Sequence, residues 1–266
     1  MAEPIAASDV ARALFTRFQT ESVAALRNWV QPDLAEFVAV VCELAALDGS
    51  AGWLAAMFGS SVRGSGAVRD GRLSGRWESV VGARDADRLS LSLDHGSDVL
   101  VPAAAVHIEP ATGAVGLDKA GICAVTVADL PVADADVRTV DPRAAAGAAA
   151  AVVGCADGVW RNHVEQVRAR LTVSHGGDEV TDDAAAQVAR AASDIDAARL
   201  QIIAALDGDP AVRAWPFRQA VARAHGAADR LLANSRHALD AADPVSLRWR
   251  DVQAGRRLAE FVISRG

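Results

Sequence analysis

The chain has 266 residues, 51% hydrophobic and 23% charged, which excludes an intrinsically disordered protein and suffices for one large domain or two to three small ones. A formal net charge of -7 supplies no basic field to gather phosphates, so nucleic acid is not an expected partner. Cys42, Cys123 and Cys155 stand far apart with no CxxC pair, which points to a reducing compartment and to neither a disulfide framework nor a zinc knuckle.

The composition leans to helix: there are 59 alanines, no tyrosine, and a single lysine, Lys119, among 27 basic residues. The N-terminus lacks a basic stretch leading into an apolar one, so no secretory leader is expected. The longest uncharged run near the middle, Ala144 to Ala156, falls short of the about 20 residues that cross a bilayer. A cytoplasmic protein without a membrane span is the expectation.

In chain order, Val10 to Val30 reads as helical. Pro32-Asp33 opens a helix in which Leu34, Phe37, Val38, Val41, Leu44 and Ala45 recur at three- and four-residue spacing until Asp48-Gly49. Gly52 to Phe58, uncharged and including Trp53, reads as a short helix packed on all sides. From Gly59 the glycines crowd together and helical periodicity ends; Gly59 to Gly66 reads as a flexible connector, or else as a backbone cradle for an anion. Arg88 to Leu93 alternates with period two, and Ile122–Val127 and Val137–Val140 are short β-branched stretches. Residues from about 66 to 140 therefore form a small antiparallel sheet or barrel.

Asp141-Pro142 reads as an N-cap with proline at the first helical position, opening a helix to about Val173. His175-Gly176-Gly177 breaks it. A second helix runs from Asp182 to Leu206, a third follows the turn at Asp207 to Pro210 and ends near His237, and a fourth begins at Asp243-Pro244. Short turns between four helices predict an antiparallel four-helix bundle. The expected architecture is mainly α with a small β middle domain: residues 1–62 helical, 63–140 β and 141–266 the bundle.

Local chemical motifs are sparse. There is no Walker A ending, no third glycine at Arg69 after Gly64-Ser65-Gly66, no Gly-x-Ser-x-Gly elbow and no HExxH, which sets aside nucleotide, serine-hydrolase and zinc readings. The run from His175 to Glu179 reads as a glycine-rich helix break with solvated acids.

Three stretches resemble the acyl-CoA dehydrogenase superfamily, and within it the branch of flavin-dependent hydroxylases of aromatic and steroid substrates. Cys42 to Trp53 is similar to the helix, turn and Gly-Trp segment that precedes the family's substrate pocket. Gly71 to Asp87, with Ser74-Gly75-Arg76-Trp77, resembles the start of its middle β domain, and Leu247 to Arg256 its last helix. The resemblance implies an acyl-CoA dehydrogenase-like fold and an FAD-dependent oxidoreductase acting on an acyl-CoA or a related bulky organic substrate. It also implies a homo-oligomer, or a hetero-oligomer with a full-length family member, assembled through the C-terminal bundle.

On that resemblance, Arg76, Trp77 and Gly82 sit at the mouth of the sheet against the flavin, while Arg168 and Arg170 hold the pyrophosphate of a neighbouring subunit's flavin. From the residues alone, the first set is equally a packing pair on a hairpin and the second a solvated helix end with favourable dipole interactions. Trp53 is a candidate for the substrate wall. Trp249, Arg250 and Asp251 form a polar and aromatic cluster that reads as an interface or a pocket wall, or as a surface ion pair. No metal is expected.

Two departures stand out. Val81 precedes Gly82 where the family carries a serine that bonds the isoalloxazine edge, and Leu258 stands where the hydroxylase branch places its catalytic histidine. No catalytic glutamate matches either, so the catalytic residue is unassigned. The alternative expectation is a non-catalytic, flavin-deficient subunit that completes the site of a full-length partner; a third is a scaffolding protein on the same fold.

Overall fold

The computed structural model describes residues 6–265 apart from 28, 30–31, 112–114, 174–179, 210–211, 234, 236–239 and 241. The glycine break at 175–177, the acids at 178–179, Pro210 and the expected helix end at His237 lie outside the described residues.

Asp33 and Asp48 each begin a helix by the same local chemistry. The Asp33 side chain accepts from the backbone N–H of Glu36 at 3.0 Å, opening α3 (Leu34–Leu47). Asp48 accepts from Ala51 at 3.1 Å, opening α4 (Gly49–Met57), in which every residue is buried. Before them the expected single helix is two: α1 (Ala7–Glu21) ends at Ser22, which takes a positive φ of 53°, and α2 (Ala24–Arg27) follows. A left-handed residue cannot continue a right-handed helix.

The β region holds two antiparallel sheets. One runs β1-β2-β6-β5, from Ser61–Arg69, Arg72–Val80, Cys123–Pro131 and His107–Pro110; the other runs β3-β4-β7, from Arg88–Ser92, Ser97–Pro102 and Val137–Thr139. Leu73, Trp77, Leu89, Leu91, Val99 and Val125 form a shared core. The stretch expected as a flexible connector, Gly59 to Gly66, is mostly strand: β1 begins at Ser61 and pairs with β2, so its backbone is committed to the ladder rather than to an anion. Gly66 is there because a Cβ would lie 2.7 Å from the edge of the Trp77 ring.

Four long helices follow: α5 (Pro142–Val173), α6 (Asp182–Leu206), α7 (Ala214–Ala233) and α8 (Pro244–Arg265). α5 packs on α6, α7 and α8, and its N-terminal half also packs on α3 and α4. That half is alanine-rich because it is buried from Ala146 to Val159. Gly154 allows the closest approach, since a Cβ there would sit 2.2 Å from the Cys42 carbonyl oxygen. Helices that precede and follow the sheets in the chain thus share one apolar core, from Ala11 through Phe37 and Trp53 to Ile263. Glu43, Asp157, Arg161 and Arg199 form an ionic network tying α3, α5 and α6, with Arg161 2.9 Å from Glu43 and Arg199 3.0 Å from Asp157. The C-terminus of α8 rests on the β1 edge, where the Arg265 guanidinium donates to the Ser61 carbonyl at 3.3 Å and pairs with Asp98. No described helix is long and apolar enough to cross a membrane.

Candidate functional site

The structure brings some of the expected site residues together and separates others. Trp77 is a correction: it lies fully buried in the core between the two sheets, its indole N–H donating to the Ser92 carbonyl at 2.9 Å, so its face is not offered to a flat ring. It points inward because β2 alternates and its neighbour Arg76 takes the outer face, within 3.2 Å of the Thr126 hydroxyl and 4.0 Å of Glu109. Arg76 and Trp77 therefore belong to opposite faces of one strand. Gly82 donates its N–H to the carbonyls of Ala120 and Gly121, and its open side is covered by Leu54 and Phe58, 3.0–3.1 Å from where a Cβ would stand.

Trp53 is fully buried in α4, so it walls no open pocket; its Nε1 has no hydrogen-bond partner among the described residues and lies against Gly255 of α8. Arg168 is exposed near the end of α5, and the positive charge of Arg170 acts on His163 one to two turns earlier. These arginines sit on the helical side, whereas Trp77 is enclosed by sheet residues. Trp249 is held within the chain: its Nε1 donates to Asp229 at 2.7 Å, and Gln253 bonds both Asp229 and His225, which locks α7 to α8.

Arg250 and Asp251 do share a cleft. About 200 Å³ in volume, it is walled by the α4 start (Asp48, Ser50), the loop before β6 (Gly116 to Lys119) and the first turns of α8 (Leu247, Arg248, Arg250, Asp251). Asp251 is not a surface partner of Arg250. It is 7% exposed, accepts from the Leu117 N–H at 2.7 Å and pairs with Arg248 at 3.1 Å. Burial is the largest influence on it and raises its pKa above the usual carboxylate value, against the pull of those two donors. Arg248 also donates to the Leu47 carbonyl at 2.8 Å and stands 3.9 Å from Asp48. Gly116, at a φ of +95°, lets the loop touch α8: a Cβ would stand 2.4 Å from the Arg250 carbonyl.

Sequence reasoning missed three members of this cluster, Asp48, Lys119 and Arg248. Asp48 was visible as a helix boundary and Lys119 as the one lysine, but nothing local connects them with α8. Among the described residues no group of three or more His, Cys, Asp or Glu side chains is placed to hold a metal ion.

No family model matches the chain. The oxygenase subunit HsaA of a flavin-dependent monooxygenase from Mycobacterium tuberculosis is 35% identical to it over 124 residues, which is 40% of this chain and 32% of the relative. The matched stretch thus spans about a third of that relative's length. Solved structures align far more widely. The HsaA monooxygenase from M. tuberculosis covers 94% of this chain and 91% of its own, at a TM-score of 0.74 and 23% identity. The 3-HSA hydroxylase from Rhodococcus sp. RHA1 covers 93% and 90%, at 0.75 and 21%. XiaF from Streptomyces sp., solved with FADH2 and glycerol, covers 97% and 93%, at 0.67 and 17%. The shared architecture is the acyl-CoA dehydrogenase-like fold, mainly helical with a small sheet region.

Proposed function

We propose that this chain is an oxidoreductase of the flavin-dependent monooxygenase type, acting on an aromatic or steroid-like small molecule. The observation that supports it is the combination of a near end-to-end likeness in fold to HsaA with 35% identity over 124 residues. HsaA and the Rhodococcus protein are named a monooxygenase and a hydroxylase, which favours such a substrate over an acyl-CoA. A flavin in such a protein would supply the redox chemistry. The division into 1–62, 63–140 and 141–266, the reading of α5 to α8 as an antiparallel bundle through which subunits associate, and a cytoplasmic location belong to the same proposal.

The residues at the expected flavin edge do not fit an isoalloxazine ring. The N–H of Val81 already donates to Ser60 at 3.1 Å and that of Gly82 to Ala120 and Gly121, Trp77 is enclosed, and Leu54 and Phe58 fill the space over Gly82. Leu258 carries no proton to transfer. No reaction step follows from this edge, and these occupied donors favour a second reading: a flavin-deficient subunit that acts beside a full-length partner.

The test is to purify the full chain, add FAD or FMN, and follow visible absorption and flavin fluorescence across a sizing column, then supply reduced flavin and measure oxygen consumption. Flavin travelling with the chain and oxygen uptake above that of free reduced flavin support the first reading. A colourless chain that leaves free flavin unchanged overturns it and leaves the subunit reading, which then requires colour to appear on co-expression with a full-length relative.

A further inference from the structure

The cleft at Asp251 does not end at α8. A second cavity of about 440 Å³, lined by Phe15, Phe18, Gln19 and Ser22 of α1 and its C-cap, shares Asp48, Lys119 and Arg248 with the first. The larger cavity is in the size range of small-molecule pockets, and the pair has an aromatic end and a charged centre.

The charges at that centre are unequally committed. Asp48 caps α4 and faces Arg248; Arg248 is consumed by Asp251, the Leu47 carbonyl and Asp48. Lys119 is different. Its backbone N–H donates to the Ser50 hydroxyl at 3.1 Å, which fixes the loop, while its ammonium makes no ion pair or hydrogen bond among the described residues and is exposed where the two cavities meet. An uncommitted cation beside an aromatic pocket suits an anion with an apolar body. The carboxylates of Asp48, Asp118 and Asp251 line the same cleft and disfavour a dianion, which selects against a phosphate monoester.

We infer that the Lys119 cleft binds a small organic monocarboxylate, with the carboxylate on the Lys119 ammonium and the hydrocarbon body against Phe15 and Phe18. Phe18 is 4% exposed and forms the floor, and Phe15 is partly buried at the side. The lining of this cleft includes none of residues 77–82, although Ala120, next to Lys119, accepts from the Gly82 N–H; the inference goes beyond the proposed oxidoreductase activity, so its test uses no flavin.

Because Lys119 is the one lysine, its ε-amine is read without ambiguity. Naphthalene-2-acetate is titrated into the full chain by calorimetry, and acetylation of Lys119 by an N-hydroxysuccinimide ester is followed by peptide mass spectrometry with and without that probe. The expected result is saturable binding, slowed acetylation of Lys119 with an unchanged rate at the N-terminal amine, and affinity reduced about tenfold by Lys119→Gln but kept by Lys119→Arg. Phe15→Ala weakens binding as well, while neutral 2-naphthaleneethanol and bodiless acetate each bind at least about tenfold more weakly. No saturable heat, equal binding of the alcohol or of acetate, unchanged affinity in Lys119→Gln, or unprotected Lys119 would each overturn the inference. Exposed Lys119 is a surface position whose replacement leaves the fold intact, so a null result is read directly.

Discussion

The carboxylate of Asp251 accepts a 2.7 Å hydrogen bond from the backbone N–H of Leu117, joining the second turn of α8 to a loop 134 residues earlier. Leu117 is itself held at a positive φ of 55°, a conformation that a leucine keeps only under constraint from its surroundings. The other carboxylate oxygen pairs with Arg248. Asp251→Ala leaves a buried N–H and a largely buried guanidinium without that partner, and is expected to cost about 3–5 kcal/mol. Asp251→Asn keeps an acceptor for Leu117 and is expected to cost about half as much. Urea unfolding of the two variants beside the parent checks both values, and equal costs would show that a neutral acceptor for Leu117 recovers nothing.

The backbone contact at Gly154 makes a contrast with an open glycine possible. Gly154→Ala places a methyl 2.2 Å from the Cys42 carbonyl, so α3 and α5 must separate, with an expected loss of about 1–3 kcal/mol. At Gly226, inside α7, a Cβ meets nothing nearer than the Arg230 guanidinium at 3.7 Å. Gly226→Ala is expected to gain about 0.4–1 kcal/mol by restricting the unfolded chain. Melting temperatures of the pair should move in opposite directions.

His163 gives stability a pH dependence whose sign is fixed by its surroundings. Burial lowers its pKa below 6.5, the nearby Arg170 lowers it further, and Asp243 partly offsets them. The folded state therefore keeps the ring neutral while the unfolded chain takes up a proton as pH falls through 6.5. This contribution is complete above that pH and is lost progressively below it, down through the folded pKa. Denaturation measured between about pH 7 and about pH 5 should show a shallower fall for His163→Gln than for the parent, and identical slopes would remove His163 as a cause.

All three cysteines are expected to be inert in the native state. Burial pushes the Cys42 thiol up to about 12 and raises those of Cys155 and Cys123, while Cys42 is further engaged with the Ala150 carbonyl at 3.2 Å. A thiol that is both buried and protonated does not attack a disulfide reagent. Ellman's reagent at about pH 8 should titrate no thiol in the folded chain and all three in guanidinium, and a fast native reaction would place one of them at the surface.

Much of the secondary structure was legible because its signals are local. Asp33, Pro142 and Pro244 mark helix starts within the span of one turn, and the alternation of Arg88 to Leu93 marks β3. The misreading of Gly59 to Gly66 has the opposite origin. Gly64 and Gly66 are there for Trp77, which stands on another strand, and Gly59 for the Arg88 carbonyl, so within the segment they look like loop residues. The inward turn of Trp77 follows from which face of β2 meets the second sheet, a fact that no window around Trp77 contains.

The candidate site was legible only at one end. Arg250 and Asp251 drew attention as a polar cluster in an alanine-rich helix, whereas Asp48, Lys119 and Arg248 gain their meaning from one another across as many as about two hundred residues of chain. By itself the sequence determined where α3, α5, α6 and α8 begin and where β3 alternates, since capping, periodicity and proline act over a few residues. Only the tertiary structure decided which charges of the cleft are consumed, that the Lys119 ammonium has no ion pair among the described residues, and that the Trp77 ring is enclosed. The charge pairing depends on how closely α4 and α8 and the loop before β6 approach, and the enclosure of Trp77 on how the two sheets face each other, both set by packing across the whole core.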